Sequence, residues 1–325
     1  MSASALPSRT KADGATLSVV VPCFNEQEAL PLFYKETCGV LERMKENGQI
    51  NSWQFVFVDD GSRDGTLSIL RQLAAQDESV HYVSFSRNFG KEAALYAGLA
   101  KASGDWCAVM DADLQDPPRL LEPMLKAVQT GEADCAATRR VSREGEPVLR
   151  SLFARSFYKI MRVLSDVEVV DGARDFRVMS LSYAKAVLSL DERNRFSKGI
   201  FPWVGFKVKW FEFENTKRAA GKSKWSFWKL FLYSIDGITG FSTKPLALAS
   251  CLGVLSLAAA LVLIIYVVAR KLIFGDATQG WASLVCIILA VGGFELFTTG
   301  IVGQYIAKIY TEIKHRPLYI VSEEN

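Results

Sequence analysis

Residues 111–118 read Asp-Ala-Asp-Leu-Gln-Asp-Pro-Pro and directly follow an apolar run, 106–110, with the composition of a short strand. In extended chain alternate residues share a side, so Asp111 and Asp113 face together, with Gln115 in phase. Oxygen donors without nitrogen or sulfur suit Mg2+ or Mn2+, ions that commonly bridge a diphosphate. Such an ion would neutralise charge growing on a departing nucleoside diphosphate. A lone Asp-x-Asp is usually a polar turn; here Gln and Pro-Pro extend it, and three other polar loops accompany it. These are Asn25-Glu26, Asp59-Asp60 and Arg87-Asn88 with Lys91, each following an apolar run of its own. Histidine offers little: His81 and His315 are the only two in the chain. The six cysteines show no paired spacing and read as free thiols.

The elements that must carry these loops alternate in type. Apolar runs at 17–22, 55–58, 80–85, 106–110 and 133–138 read as strands. Between them, helical spacing appears in the segment holding Leu30, Phe33, Val40, Leu41 and Met44 up to Gly48, in the segment with Leu67, Leu70 and Leu73, and over 91–102 and 119–128. That alternation predicts an α/β fold with a mostly parallel sheet and helices on both faces. Right-handed crossovers then bring all four polar loops to one sheet edge, where open α/β sheets bind ligands. One such loop is turn chemistry; four on one edge predict a site. No Gly-x-Gly-x-x-Gly follows the first strand, which excludes the dinucleotide fingerprint. Gly221-Lys222-Ser223 is no P-loop either, because Thr216 stands where the first glycine belongs.

Four segments together carry a resemblance: Pro22-Cys23-Phe24-Asn25-Glu26, Val58-Asp59-Asp60-Gly61-Ser62, Ser86-Arg87-Asn88-Phe89-Gly90-Lys91 and Asp111 to Pro118. The chain resembles the family 2 glycosyltransferases, in the branch of dolichyl-phosphate mannose synthases and bacterial polyprenyl-phosphate glycosyltransferases. Phe24 stands where that family usually has Tyr, a loss of one hydroxyl. The resemblance implies a GT-A fold with Pro22, Glu26 and Asp60 at the base and ribose of the donor. It puts Lys91 near the diphosphate, Ala112 at the donor, and Asp111, Asp113 and Gln115 on the metal. Asp175, in Asp175-Phe176-Arg177, matches the residue proposed as catalytic base. A phosphate monoester has a second pKa of about 6 and is already largely ionised at neutral pH. Asp175 could therefore equally hold a sugar hydroxyl or orient Arg177. Arg140, Arg143, Arg177, Arg218 and Lys224 are the cations expected at an acceptor phosphate, since forked guanidinium groups suit phosphate oxygens.

The C-terminal third is different in kind. Residues 245–269 carry no charge over 25 positions, enough helix to span roughly 30 Å of hydrocarbon. Residues 277–307 carry one, Glu295, which is a functional candidate by its setting or simply faces a neighbouring helix. The expected organisation is a flexible lead over 1–16 without signal-peptide character, a catalytic domain over 17–224 and an interfacial amphipathic helix over 225–244. Transmembrane helices follow at 245–269 and 281–307, joined by an extracytoplasmic loop over 270–280, with a cytoplasmic tail over 308–325. An amphipathic helix is also expected over 149–164. For 225–241 an ordinary packing helix is the rival of the interfacial one. Basic residues flank the pair, from Lys217 to Lys244 before it and at Lys308, Lys314 and Arg316 after it. By the positive-inside rule the large domain faces the cytoplasm of a plasma membrane. The net charge of +3 and the lack of basic–aromatic interleaving argue against nucleic acid.

The expected reaction is inverting transfer of a hexose from a nucleotide sugar to undecaprenyl or another polyprenyl phosphate, with release of a nucleoside diphosphate. UDP-glucose is the expected donor; UDP-N-acetylglucosamine and GDP-mannose are the alternatives. A processive polysaccharide synthase is disfavoured because no tryptophan follows an arginine. A phosphoglycosyl transferase, releasing a monophosphate, and a non-catalytic membrane partner remain as rivals. The resemblance also suggests an assembly of like copies.

Overall fold

The computed structural model describes residues 15–141, 170–214, 235, 237–274 and 280–325. Three apolar strands form the centre of the sheet: β1 (Thr16–Cys23), β2 (Ser52–Asp59) and β4 (Trp106–Val109). β1 pairs in parallel with both others, Val20 opposite Val56 on one side and Val109 on the other. Strands buried on both faces read as continuous apolar runs, which is why they were visible in the sequence. The full order is β7-β5-β6-β4-β1-β2-β3-β8, with β3 (Val80–Phe85), β5 (Cys135–Arg140), β6 (Ala173–Ser180), β7 (Val208–Phe213) and β8 (Val321–Glu324). β6 runs antiparallel to β4 and β5, and β8 antiparallel to β3. The fifth strand starts two residues later than expected, and β6, β7 and β8 were not anticipated.

Helices cover both faces. On one lie α1 (Leu30–Glu46), α2 (Thr66–Gln76) and α4 (Leu121–Gln129), the last entered through a 3-10 turn at Pro118–Leu120. α1 buries Leu30, Phe33, Val40, Leu41 and Met44 against Phe55, Phe57 and Val19. On the other lie α3 (Lys91–Lys101), α5 (Leu181–Ser189) and α6 (Ser197–Trp203). α3 rests almost directly on the strands: a Cβ on Gly98 would stand 2.3 Å from Val20 Cγ1 and 3.2 Å from Val58 Cγ2. Only glycine permits that approach, and it draws the first turn of α3, with Lys91, up to the strand ends.

Two further helices, α7 (Lys244–Phe274) and α8 (Trp281–Ile313), are long and apolar enough to cross a membrane. They keep large apolar side chains outside: Leu272 is 81% exposed and Leu296 75%. α8 outlasts the expected span and meets the catalytic domain. Glu312 Oε1 accepts the backbone N–H of Arg193 at 2.8 Å and of Asn194 at 3.0 Å. The chain then returns to the sheet as β8. There Arg71 donates through Nε and Nη2 to the Glu323 carboxylate, at 2.8 and 2.6 Å, and Tyr319 stacks on Phe85. The tail is thus an edge strand of the catalytic sheet. The expected helix over 149–164 lies outside the described residues, as does most of the interfacial segment over 225–244.

Candidate active site

The four polar loops meet at one sheet edge and are tied to one another in series. Asn25, in the left-handed region at φ 52°, donates its N–H to Ser62 Oγ at 2.9 Å and accepts from the Arg63 N–H at 2.8 Å. The Glu26 N–H donates to Thr66 Oγ1 at 2.8 Å. The first two loops are therefore one unit, with Pro22 and Glu26 half-buried on it. Asp60 binds that unit to the third loop. Its carboxylate accepts the N–H groups of Phe89 at 2.6 Å and Gly90 at 3.0 Å. Gly61 adjoins the same loop so closely that a Cβ would lie 2.4 Å from the Arg87 carbonyl carbon. Burial pushes the Asp60 carboxyl up to about 6; the two N–H groups oppose the rise and Asp59 adds to it. Asp60, expected at the donor ribose, is 4% exposed and braces the loop that carries Lys91.

Lys91 occupies the centre. Its Nζ stands 2.6 Å from Asp111 Oδ1 and 2.5 Å from Asp175 Oδ2, joining the loop after β4 to β6. Burial works against this ammonium, yet the two carboxylates outweigh it and hold its pKa above the ordinary lysine value. Burial likewise raises Asp175, but Lys91 first, then Lys198 and Arg177, bring it well below the usual carboxylate range. Asp175 is thus held as an anion, with Oδ2 on Lys91 and Oδ1 enclosed without a hydrogen-bond partner among the described residues.

Beyond Asp111 the chain turns back on itself. Asp113 Oδ1 accepts the Gln115 N–H at 3.1 Å, and Leu114 takes a left-handed φ of 55°. Ala112, expected at the donor, is 3% exposed and packs in the core. Asp111, Asp113 and Gln115 offer only hard oxygen donors, a set that fits Mg2+ or Mn2+. The Lys91 ammonium already seated on Asp111 demonstrates that this carboxylate is placed to meet positive charge. Among the described residues no three His, Cys, Asp or Glu side chains gather as a metal cluster. The Asp111–Gln115 set differs from such a cluster in make-up, with two carboxylates and an amide.

Arg177 departs from expectation. It is 4% exposed, donates Nε–H to the Asp175 carbonyl at 3.2 Å and Nη2–H to the Arg174 carbonyl at 3.0 Å, and lies 3.3 Å over the Phe201 ring. A guanidinium so enclosed shapes β6 and is not open to an acceptor phosphate. Arg140 ends β5, half-buried, its N–H on the Gly172 carbonyl at 2.9 Å. Arg143, Arg218 and Lys224 lie outside the described residues. Two neighbours went unforeseen. Glu92, beside Lys91, accepts the Ser197 N–H and hydroxyl at 3.0 Å, and burial raises its pKa. Arg174 pairs with Asp116. Both carry partners more than fifty positions away in sequence, which no local pattern reveals.

Comparison with known proteins bears on this geometry. The sequence model described as "Glycosyl transferase family 2" matches residues 18–188. A "Bactoprenol glucosyl transferase" of Shigella phage SfV is 40% identical over 308 residues, 95% of this chain and 98% of that protein. The chain belongs to glycosyl transferase family 2. A "Putative glycosyltransferase CsbB" of Bacillus subtilis is 39% identical over 310 residues, 95% of this chain and 92% of that one. Among solved structures, glucosyl-3-phosphoglycerate synthase from Mycobacterium tuberculosis is similar at a TM-score of 0.46 and 20% identity. That match covers 69% of this chain and 78% of the other. The glycosyltransferase has the GT-A arrangement its sequence implied, a mostly parallel sheet whose strand-end loops converge.

Proposed function

We propose that this glycosyltransferase moves glucose from UDP-glucose to undecaprenyl or a related polyprenyl phosphate. The reading is supported by relatives at about 40% identity, matched over nearly their whole length, that are named bactoprenol glucosyl transferases. The observation that carries it is the Lys91 bridge between Asp111 and Asp175, which joins a donor-side carboxylate to the candidate catalytic one. A divalent ion, Mg2+ or Mn2+, held by Asp111, Asp113 and Gln115 would supply Lewis-acid neutralisation of the diphosphate. Pro22 and Glu26 would meet the base and ribose, and Asp60 would act from behind them by bracing the loop that carries Lys91.

An acceptor phosphate oxygen attacks the anomeric carbon as the bond from that carbon to the diphosphate oxygen breaks. UDP departs and the anomeric configuration inverts. No proton must leave the acceptor, because a phosphate monoester is already mostly dianionic at neutral pH. Asp175, held ionised by Lys91, is a weak base, so its contribution is orientation. Its Oδ1 is enclosed, so that orientation acts through the Lys91 ammonium on Oδ2. Lys91 stands where negative charge accumulates on the leaving diphosphate. Arg140, Arg143, Arg218 and Lys224 provide the acceptor cations, and α7 and α8 hold the domain at the bilayer with its catalytic face cytoplasmic.

The test uses detergent-purified protein, undecaprenyl phosphate, Mn2+ or Mg2+, and UDP-glucose beside UDP-N-acetylglucosamine and GDP-mannose. Expected is UDP release that needs lipid and metal and occurs fastest with UDP-glucose. UMP release would move the protein to phosphoglycosyl transfer, and preference for another donor would overturn the sugar assignment.

A further inference from the structure

Two consecutive residues of β6 hold the 111–116 segment at its two ends. Strand alternation sends neighbouring side chains to opposite sides. Asp175 reaches the start of the segment through Lys91 and Asp111. Arg174 reaches its end directly: Nε donates to Asp116 Oδ1 at 2.9 Å, and Nη2 to Asp116 Oδ2 and to Gln115 Oε1, each at 3.3 Å. The pair lies deep, with the Asp116 side chain 1% exposed and Arg174 19%. Between the two grips sits Leu114 in its left-handed conformation, one a non-glycine residue keeps only where its surroundings over-determine it.

The contact to Gln115 has a chemical consequence. An amide presents an oxygen at one end and an NH2 at the other, and its orientation is set by what it faces. Facing a guanidinium, the NH2 would meet donors; only the oxygen is accepted. That oxygen has two lone pairs, of which Arg174 uses one. We propose that Arg174 is a positioning residue, locking the Gln115 amide oxygen and the curvature of the segment so that Asp111, Asp113 and Gln115 converge on the divalent ion. The proposal rests on the donor-site reading above. Asp116 is the other half of the device: it neutralises Arg174, so that a cation can stand beside a metal site without opposing it.

The experiment titrates full-length protein in detergent with Mn2+ in the presence of UDP, following free Mn2+ by electron paramagnetic resonance. Residues that orient metal ligands typically contribute about 10–100-fold to affinity. Arg174→Met is expected to weaken Mn2+ binding by at least about 10-fold and to raise the metal half-saturation of transfer in step, with Arg174→Lys between the two. In a Gln115→Ala background the same substitution should change Mn2+ affinity far less, a coupling that general loosening of the fold does not produce. If Arg174→Met alone strands a buried carboxylate and fails to fold, Asp116→Asn with Arg174→Met removes both charges and tests the same lock. Wild-type affinity in either variant, or full additivity with Gln115→Ala, overturns the proposal. Wild-type protein that takes up no Mn2+ with UDP present overturns the donor-site reading itself, so the two failures are distinct.

Discussion

The sheet and the C-terminal helix pair use the same side chains under opposite rules. Val19, Val20 and Val21 of β1 expose nothing, whereas Val254, Ile265 and Leu272 of α7 expose 67, 69 and 81%. In the sheet, apolar residues exclude water so that the polar loops at its edge can be fixed by side-chain hydrogen bonds. In the helices no described residue covers these side chains, and a hydrocarbon solvent is what such a surface suits. The function proposed above puts chemistry in one region and anchorage in the other, and each substitution below tests whether that division holds.

The largest effect belongs to the sheet edge. Asp111→Asn removes a carboxylate from both the metal set and the Lys91 bridge. Metal neutralisation contributes several kcal/mol, so kcat/KM is expected to fall by about 10^3-fold while the thermal midpoint stays close to wild type. A large drop in stability with little loss of rate would place Asp111 among the structural residues.

Next comes the helix pair. Leu257, near the middle of the α7 span, is 63% exposed. On a water-facing helix Leu257→Lys would change stability by no more than about 0.5 kcal/mol. In a bilayer the same change opposes insertion by about 3–4 kcal/mol. An insertion assay with α7 as the test segment separates the two, and unimpaired insertion would break the comparison.

The seam between the regions should respond at an intermediate level. Glu312 accepts two backbone N–H groups of the catalytic domain. Glu312→Ala leaves both without that partner, a loss of about 1–3 kcal/mol that a lowered thermal midpoint would register. Glu312→Gln keeps one acceptor oxygen and should recover most of it. Equal midpoints for all three proteins would mean that the helix end does not dock on the domain.

How far the sequence disclosed this arrangement depends on where each residue finds its partner. β1 to β4 and the helices between them were legible because burial on both faces writes continuous apolar runs, and the polar loops stood out at their ends. β6 was not legible. Arg174, Asp175 and Arg177 give it the look of a loop, and their charges are matched by Asp116 and Lys91, 58 and 84 positions away, or spent on local carbonyls. Arg177 was assigned to the acceptor for the same reason: its guanidinium suits phosphate, but its burial over Phe201 is a tertiary fact. β8 is four residues long, carries two glutamates, and is a strand only because β3 offers it an edge.

The smallest effect concerns how the sheet edge holds its loops, and its sign follows from Asp60. Burial raises this carboxyl to about 6 from an ordinary value of 3.8. The folded protein therefore binds the proton more tightly than the unfolded chain does. The contribution to stability is fully present below about pH 4 and is lost as pH rises through 6. Between pH 5 and 6 the loss amounts to about 1 kcal/mol from this one group. Asp60→Asn keeps an oxygen for the Phe89 N–H but cannot titrate, so the difference in unfolding free energy between variant and wild type should change by that amount across the interval. Chemical denaturation at pH 5 and pH 6 measures it. A constant difference would mean that Asp60 meets solvent freely, and that the loop carrying Lys91 is held by Gly61 and the backbone alone.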